Sequence, residues 1–159
     1  MRNACPTAVV LRTSWVYGSA ARNFLRTMLD LAATSEVVRV VDDQYGAPTA
    51  AADLADAILA TVAAANPERA GLYHLTASGE TSWHGFAAAI FAGWRERGHR
   101  VPRLMSISSA DYPTAAQRPA NSRLGCSRIA ASFGIRLPHW QASLAACLDE
   151  IASARAEAS

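Results

Sequence analysis

The segment RTSWVYG, Arg12 to Gly18, places polar and aromatic side chains directly after the apolar run TAVVL. A short β-branched run of this kind is typical of a buried strand in a parallel sheet. Open α/β sheets bind their ligands at the loops that follow the carboxyl ends of such strands. Trp15 is therefore a candidate wall of a pocket, although the residues alone leave open whether it contacts a ligand.

A second candidate for chemistry is the segment RPANSR, in which Arg118 and Arg123 flank Asn121. Two guanidinium groups could hold a diphosphate through paired, charge-assisted hydrogen bonds. A solvated loop with one structural salt bridge explains the same spacing. The spacing alone favours that simpler interpretation.

Other groups that often carry chemistry lack a matching arrangement. Asp42, Asp43 and Asp53 are better explained as turn and helix-start residues than as paired catalytic carboxylates. The four histidines have no partner at metal-ligand spacing, and the sequence has no nucleophile elbow and no phosphate-binding loop. The residues therefore predict neither a metal site nor nucleophilic or phosphoryl-transfer catalysis.

The composition indicates one ordinary globular domain of the α/β or α-rich class. The chain has 159 residues, of which 51% are hydrophobic and 18% are charged. Its formal charge of +2 is too small for a typical nucleic-acid binder, and no apolar run is long enough to cross a membrane. The three cysteines are far apart in the sequence, which suggests reduced thiols. We therefore expect a cytoplasmic protein that binds neither nucleic acid nor membrane.

The elements that would position these residues alternate between strands and helices. Strands are predicted at TAVVLRT, at Val37 to Val41 and at GLYHLTAS. Residues 101–125 contain three prolines and many serines, and we expect them to form an ordered binding loop.

Helices are predicted wherever apolar residues recur with a period close to 3.6. Asn23, Thr49, and Thr81 or Ser82 are the expected N-caps of the first three. Two more helices are expected at SRIAASF, stopped by Gly134, and from Trp140 to the carboxyl end. The side chains that the second helix is expected to bury are those of Leu54, Ile58, Thr61 and Val62.

Six segments, taken in order, resemble the carboxyl-terminal half of the dTDP-4-dehydrorhamnose reductase family. They are VVLRTSWVYG, NFLRTML, VVDDQYGAPT leading into DLADAI, GLYHLTASG followed by TSW, YPTAAQRPANSRL and FGIRLPHWQASL. The resemblance implies an α/β fold, the carboxyl-terminal portion of the Rossmann-like extended short-chain dehydrogenase/reductase fold with its small substrate-binding subdomain. By the same resemblance, the amino-terminal dinucleotide-binding strands are lacking and residues 1–159 form a single domain.

The resemblance also implies an activity and a set of contacts. The family uses NADPH to reduce the 4-keto group of dTDP-4-dehydro-6-deoxy-L-mannose in dTDP-L-rhamnose biosynthesis. In the family, the residue that matches Trp15 packs against the deoxysugar. The residues that match Asn23, Arg118, Asn121 and Ser122 lie where the nucleotide diphosphate approaches.

The family's catalytic and cofactor residues are expected to be missing from this chain. It has no G-x-x-G-x-x-G turn, and a sequence without lysine cannot contain the Y-x-x-x-K pair. The resemblance places the start of the chain after these residues. We therefore expect no catalytic residue, no NADPH site, no metal site and no activity of the chain alone.

Three hypotheses follow for the role of the chain. The first is the sugar-nucleotide-binding half of a reductase, with a dTDP-deoxysugar as ligand and a complementary amino-terminal half or a homo-oligomer as partner. The alternatives are a non-catalytic binding or regulatory subunit of the same fold and a truncated gene remnant. The first hypothesis predicts apolar surface that a partner must cover.

Overall fold

Short strands alternate with helices along the chain. The computed structural model of the protein describes residues 5–112 and 118–157. Its strands are β1 Val9–Arg12, β2 Val16–Tyr17, β3 Val37–Val41, β4 Tyr45–Gly46, β5 Thr49–Ala50, β6 Gly71–His74, β7 Thr81–Ser82 and β8 Arg103–Ile107. Its helices are α1 Phe24–Thr34, α2 Ala51–Ala63, α3 Trp83–Glu96, α4 Ser127–Phe133 and α5 Trp140–Glu157.

The strands within the described residues form four two-stranded sheets. β1 pairs with β6, β2 with β5, and β3 with β8, all in parallel. Only β4 and β7 pair antiparallel. Parallel partners need long crossover connections, so each parallel pair joins parts of the chain that are distant in sequence.

Two apolar clusters hold these elements together. The larger lies between α1, α3, α5 and β3, and its fully buried members include Leu25, Leu29, Phe86 and Ile90. The smaller one packs α2 and α4 against β6 and is centred on Ile129. The periodicity that predicted α1, α3 and α5 thus corresponds to one shared core.

Two of the predicted helix caps are confirmed, and the third is wrong. The side chains of Asn23 and Ser82 accept hydrogen bonds from the backbone of Arg26 and Gly85 at the first turns of α1 and α3. Thr49 instead lies in β5, fully buried, and its hydroxyl donates to the carbonyl of Ala47 at 3.0 Å. Its amide donates to the carbonyl of Trp15. Thr49 is therefore a strand residue and does not cap α2.

The predicted buried face of α2 is only half right. Leu54 and Thr61 are buried, but Ile58 and Val62 are 46% and 67% exposed. The face that packs on the smaller core follows Leu54, Ala57 and Thr61. Ile58 and Val62 each follow a buried residue by one position, so their side chains lie off that face and point to solvent.

The long loop expected at residues 101–125 contains a strand. β8 pairs with β3 along its full length, with Val37 opposite Arg103 and Val41 opposite Ile107. The remaining described part includes one short turn of 3-10 helix, Ser109–Asp111, and a single-residue bridge at Asn121. Residues 113–117, within the segment YPTAAQRPANSRL, lie outside the described residues.

The cysteines are free thiols, and the described helices lack the length or the hydropathy that a membrane span requires. Cys5, Cys126 and Cys147 are all unpaired, as their spacing predicted. Over residues 5–112 and 118–157, every helix is too short or too polar to cross a bilayer.

Candidate functional site

A groove of about 480 Å³ runs between α1 and β3. α1 contributes Phe24 and Met28, and β3 contributes the stretch that includes Arg39. Gln44, Trp83, Tyr112 and Arg118 complete the rim. The groove is therefore apolar and aromatic inside, with two guanidinium groups at its edge.

The charge of this groove has one sign. Arg39 and Arg118 are the ionisable residues other than Tyr112 among its described lining residues, which include neither aspartate nor glutamate. β3 pairs with β8 on one side, while its other side faces this groove. An apolar slot with a few convergent polar groups and two arginines suits a flat, partly apolar group that carries an anion.

Trp15 adjoins the groove through a second tryptophan. The rings of Trp15 and Trp83 are stacked, with centroids 3.7 Å apart and planes 11° apart. Trp83 also contacts Phe24 at a centroid distance of 4.6 Å, and both of these residues line the groove. One face of the Trp15 ring is thus supported by the wall of the groove, which fixes the orientation of the half-buried indole.

The backbone holds Trp15 in an unusual conformation. Its φ angle is +50°, which is rare for a bulky side chain. The carbonyl of Trp15 accepts from the amide of Thr49 at 3.1 Å. The ring lies so close to Gly46 that a Cβ there would meet Trp15 Cε2 at 2.5 Å. Backbone strain of this kind clusters at functional sites, which favours a functional interpretation of Trp15 over simple core packing.

The segment that carries Arg118, Asn121 and Ser122 is anchored to β4. The amide of Tyr45 donates to the carbonyl of Ala120 at 2.9 Å, and the amide of Ser122 donates to the carbonyl of Tyr45 at 2.8 Å. Arg118 therefore reaches the groove from a segment that crosses the loop after β3. The side chain of Asn121 does not line the groove, because its oxygen accepts from Arg123.

Arg118 and Arg123 do not converge on one ligand. Arg123 contacts both carboxylate oxygens of Glu80 through Nη1, each at 2.9 Å, and lies on the wall of a different cavity of about 360 Å³. The simpler sequence interpretation, a structural salt bridge, holds for Arg123. Only Arg118 of the two is left at the groove.

Asn23 uses both ends of its carboxamide within the chain. Its oxygen accepts from the amide of Arg26, and its nitrogen donates to the carbonyl of Gly18 at 2.9 Å and to that of Ala20 at 3.2 Å. These bonds fix the loop between β2 and α1, and with it the start of the helix that carries Phe24. A direct contact of Asn23 with a ligand stays a prediction.

The carboxylates near the site act as hydrogen-bond acceptors for the chain itself. Asp42 accepts from the hydroxyl of Ser82, and Asp43 accepts from the hydroxyl and the amide of Ser109 at 2.6 and 2.9 Å. The bonds from Ser109 lower the pKa of Asp43 below its ordinary value. This arrangement agrees with turn-forming residues rather than an acid/base pair.

Two buried groups with raised pKa values lie beside a separate cavity of about 460 Å³, between the loop after β2 and helices α2 and α5. Burial raises the pKa of Cys147 to about 11 and raises that of the Tyr17 phenol as well. Both groups stay neutral near pH 7. Among the described residues, no cluster of three or more histidine, cysteine, aspartate or glutamate side chains could hold a metal ion.

Sequence reasoning missed Arg39, Trp83 and Gly46. A charged residue in a strand of alternating polarity is expected to face solvent, so the sequence did not indicate that Arg39 lines a groove. Trp83 is part of the segment TSW, but its stacking partner is distant in sequence. Gly46 was predicted only to be a loop residue, because its close approach to Trp15 depends on the fold.

Comparison with known proteins identifies the family of this fold. Residues 1–153 match the RmlD substrate binding domain. A dTDP-4-dehydrorhamnose reductase of Sinorhizobium fredii is 43% identical over 145 residues, which are 89% of this chain and 49% of the relative. The chain thus spans about half the length of the curated relatives it matches.

Solved structures agree with that match. A dTDP-4-dehydrorhamnose reductase of Bacillus anthracis, crystallised with NADP, superposes with a TM-score of 0.81 at 30% identity, over 89% of this chain and 48% of that one. A UDP-glucose-4-epimerase of Stenotrophomonas maltophila, at 16% identity and a TM-score of 0.71 over 95% of this chain and 49% of that one, shares the fold alone. The predicted class, an α/β fold of the extended short-chain dehydrogenase/reductase type, is confirmed.

Proposed function

Because the chain belongs to the family of the RmlD substrate binding domain, we propose that it forms the dTDP-deoxysugar-binding part of a dTDP-4-dehydrorhamnose reductase. The whole reductase would reduce the 4-keto group of dTDP-4-dehydro-6-deoxy-L-mannose. The observation that carries the proposal is the groove between α1 and β3, which combines apolar and aromatic walls with two arginines.

The groove, together with Trp15 beside it, offers a contact for each of the three parts of such a ligand. The base is flat and can contact Phe24 and Met28 while it hydrogen-bonds to the backbone along β3. The diphosphate is dianionic or more highly charged, and Arg118 offers a guanidinium fork for it. The deoxysugar has an apolar face, which a tryptophan ring can cover, and Trp15 is the proposed partner.

The role of the chain in the reaction is to bind and orient the sugar nucleotide. When bound, NADPH supplies the hydride for the keto carbon. We infer that the described residues fit the dinucleotide poorly, because β5 passes into α2 through Ala50 and β7 passes into α3 through Ser82, without the glycine-rich turn that a pyrophosphate needs. We therefore infer that the dinucleotide binds another part of the reductase.

The proposed partner is the complementary amino-terminal half of the reductase. Within the described residues β1 pairs on one edge only, with β6, and Val9 to Leu11 are only half-buried. An open, apolar strand edge is a template for a further strand. We propose that the dinucleotide-binding half extends the sheet from this edge, in the cytoplasm where the free thiols stay reduced.

Calorimetric titration with dTDP and with dTDP-L-rhamnose tests the proposed function. We expect saturable binding of both ligands, and Arg118→Ala should weaken both by about tenfold or more, the scale of one charge-assisted contact. Trp15→Ala should weaken binding of dTDP-L-rhamnose but leave that of dTDP nearly unchanged, because only the former carries the rhamnosyl group that the ring is proposed to cover. Arg100→Ala, at an exposed arginine outside the groove lining, is the matched control.

Two results would contradict the proposal. A folded wild-type chain that binds neither nucleotide at millimolar concentration would exclude the binding role. NADPH oxidation with the keto-sugar by the purified chain alone would show that the dinucleotide does bind here, contrary to the inference from Ala50 and Ser82.

A further inference from the structure

The segment that carries Arg118 is anchored by side-chain contacts of Arg123 in addition to its backbone hydrogen bonds. Arg118 lies on this exposed segment, five residues before Arg123. Two backbone hydrogen bonds attach the segment to Tyr45, at Ala120 and Ser122. A long, exposed arginine loses much side-chain entropy when it binds an anion, so a mobile backbone beneath it would cost further affinity.

Arg123 joins three parts of the chain at this point. Its Nη1 contacts both carboxylate oxygens of Glu80 at 2.9 Å, and its Nε and its amide donate to the side-chain oxygen of Asn121 at 2.9 and 3.0 Å. Its guanidinium also lies 5.7 Å from the centre of the Tyr45 ring. We call Arg123, Glu80 and Asn121 the clamp.

Two members of the clamp, Glu80 and Arg123, line the cavity of about 360 Å³. Glu80 precedes β7, which pairs with β4 so that Tyr45 lies opposite Ser82. The clamp therefore fastens the Arg118 segment both to β4 and to the residues before β7. Gln44, which directly precedes Tyr45, and Arg118 both line the groove.

We propose that Arg123 and Glu80 are positioning residues that hold Arg118 at the groove for the anionic part of the ligand. This inference rests on the proposed function, because it assigns the clamp to the same binding site. Arg123 is 45% and Glu80 is 56% exposed in their side chains. Exposed ion pairs add little to global stability, so loss of the clamp should appear in ligand affinity rather than in the melting temperature.

A double-mutant cycle with dTDP as the probe tests this role. Glu80→Gln is expected to weaken dTDP binding about fivefold, and in the Arg118→Ala background the same change should have almost no further effect, because coupled residues are non-additive. A purely structural contribution of Glu80 would weaken binding equally in both backgrounds. Arg123→Lys keeps a charge opposite Glu80 and should recover part of the affinity that Arg123→Ala loses.

The matched control is Asp149→Asn, which removes an exposed carboxylate paired with Arg97 far from the groove. It should not change dTDP affinity, because neither Asp149 nor Arg97 lines the groove. Unchanged dTDP affinity in Glu80→Gln, or an equal loss with and without Arg118, would overturn the positioning role.

Amide exchange separates failure of the clamp from failure of the proposed function. The amides of Tyr45 and Ser122 join the segment to β4, so Glu80→Gln should accelerate their hydrogen exchange without any ligand present. If the wild type does not bind dTDP, the proposed function fails while faster exchange still supports the clamp. Unchanged exchange at both amides would overturn the clamp itself.

Discussion

Replacement of Gly46 by alanine is the most direct test of how the Trp15 ring is held between Gly46 and Trp83. Glycine to alanine at an ordinary backbone conformation usually stabilises a protein by about 0.4–1 kcal/mol, through the unfolded chain. Here the added Cβ would lie 2.5 Å from Trp15 Cε2 and 2.8 Å from Cζ2 and Nε1. The indole would have to move by roughly an ångström to reach normal contact distance.

The ring cannot move freely, because Trp83 stacks on it at 3.7 Å. Overpacking of such a site costs about 1–3 kcal/mol, and loss of the aromatic stack costs a similar amount, about 0.5–1.5 kcal/mol. We therefore expect Gly46→Ala to lower the free energy of unfolding by about 1–3 kcal/mol, or the melting temperature by about 2–10 °C for a domain of this size.

Thermal and urea unfolding followed by circular dichroism would measure the change. Gly125→Ala is the matched control, since a Cβ at Gly125 would meet nothing within 4 Å. In a Trp15→Ala background the cost of Gly46→Ala should vanish, because the clashing ring is gone. A Gly46→Ala protein as stable as the wild type, or a cost that persists without Trp15, would refute the steric reasoning.

Two other predictions concern stability. Ser82→Ala removes the cap that accepts from Gly85 at 2.9 Å and the hydroxyl donor to Asp42, so the free energy of unfolding in urea should fall by about 1–2 kcal/mol; a change below 0.3 kcal/mol would contradict the cap. Burial raises the pKa of Cys147 from its ordinary value of 9.0 to about 11, and above pH 9 the unfolded thiol ionises before the folded one, so stability should fall between pH 9 and 11. Cys147→Ala should make this fall shallower, whereas Cys5→Ala, at an exposed cysteine, should not change it.

The helices of this fold could largely be predicted because their signals are local. Asn23 and Ser82 stand directly before apolar residues spaced for one face, and Gly134 follows α4 in the left-handed conformation that stops a helix. β8 could not be predicted in this way. Its sequence RLMSI becomes a strand because β3, far away in sequence, offers it an edge.

Sequence reasoning predicted a residue of the candidate site only where the position of that residue in an α/β fold gave a physical reason for a role in binding. Trp15 was singled out because it follows a buried strand, and the structure adds its stacking partner and its strained backbone. The two arginines of RPANSR looked equivalent in sequence. They differ in the fold because an acid, Glu80, lies beside one of them and not beside the other.

The order of the strand pairs sets how the chain can be divided. β1 pairs with β6 and β3 pairs with β8, so the two pairs interleave along the sequence. A single cut between β1 and β8 therefore separates the partners of at least one sheet. Two fragments produced by a nick in the exposed turn around Asn66 would each lack the strands that complete their pairs, and they should regain structure only when mixed, by mutual complementation. We expect this interlocked pairing to make unfolding cooperative across residues 5–112 and 118–157, although each sheet has only two strands.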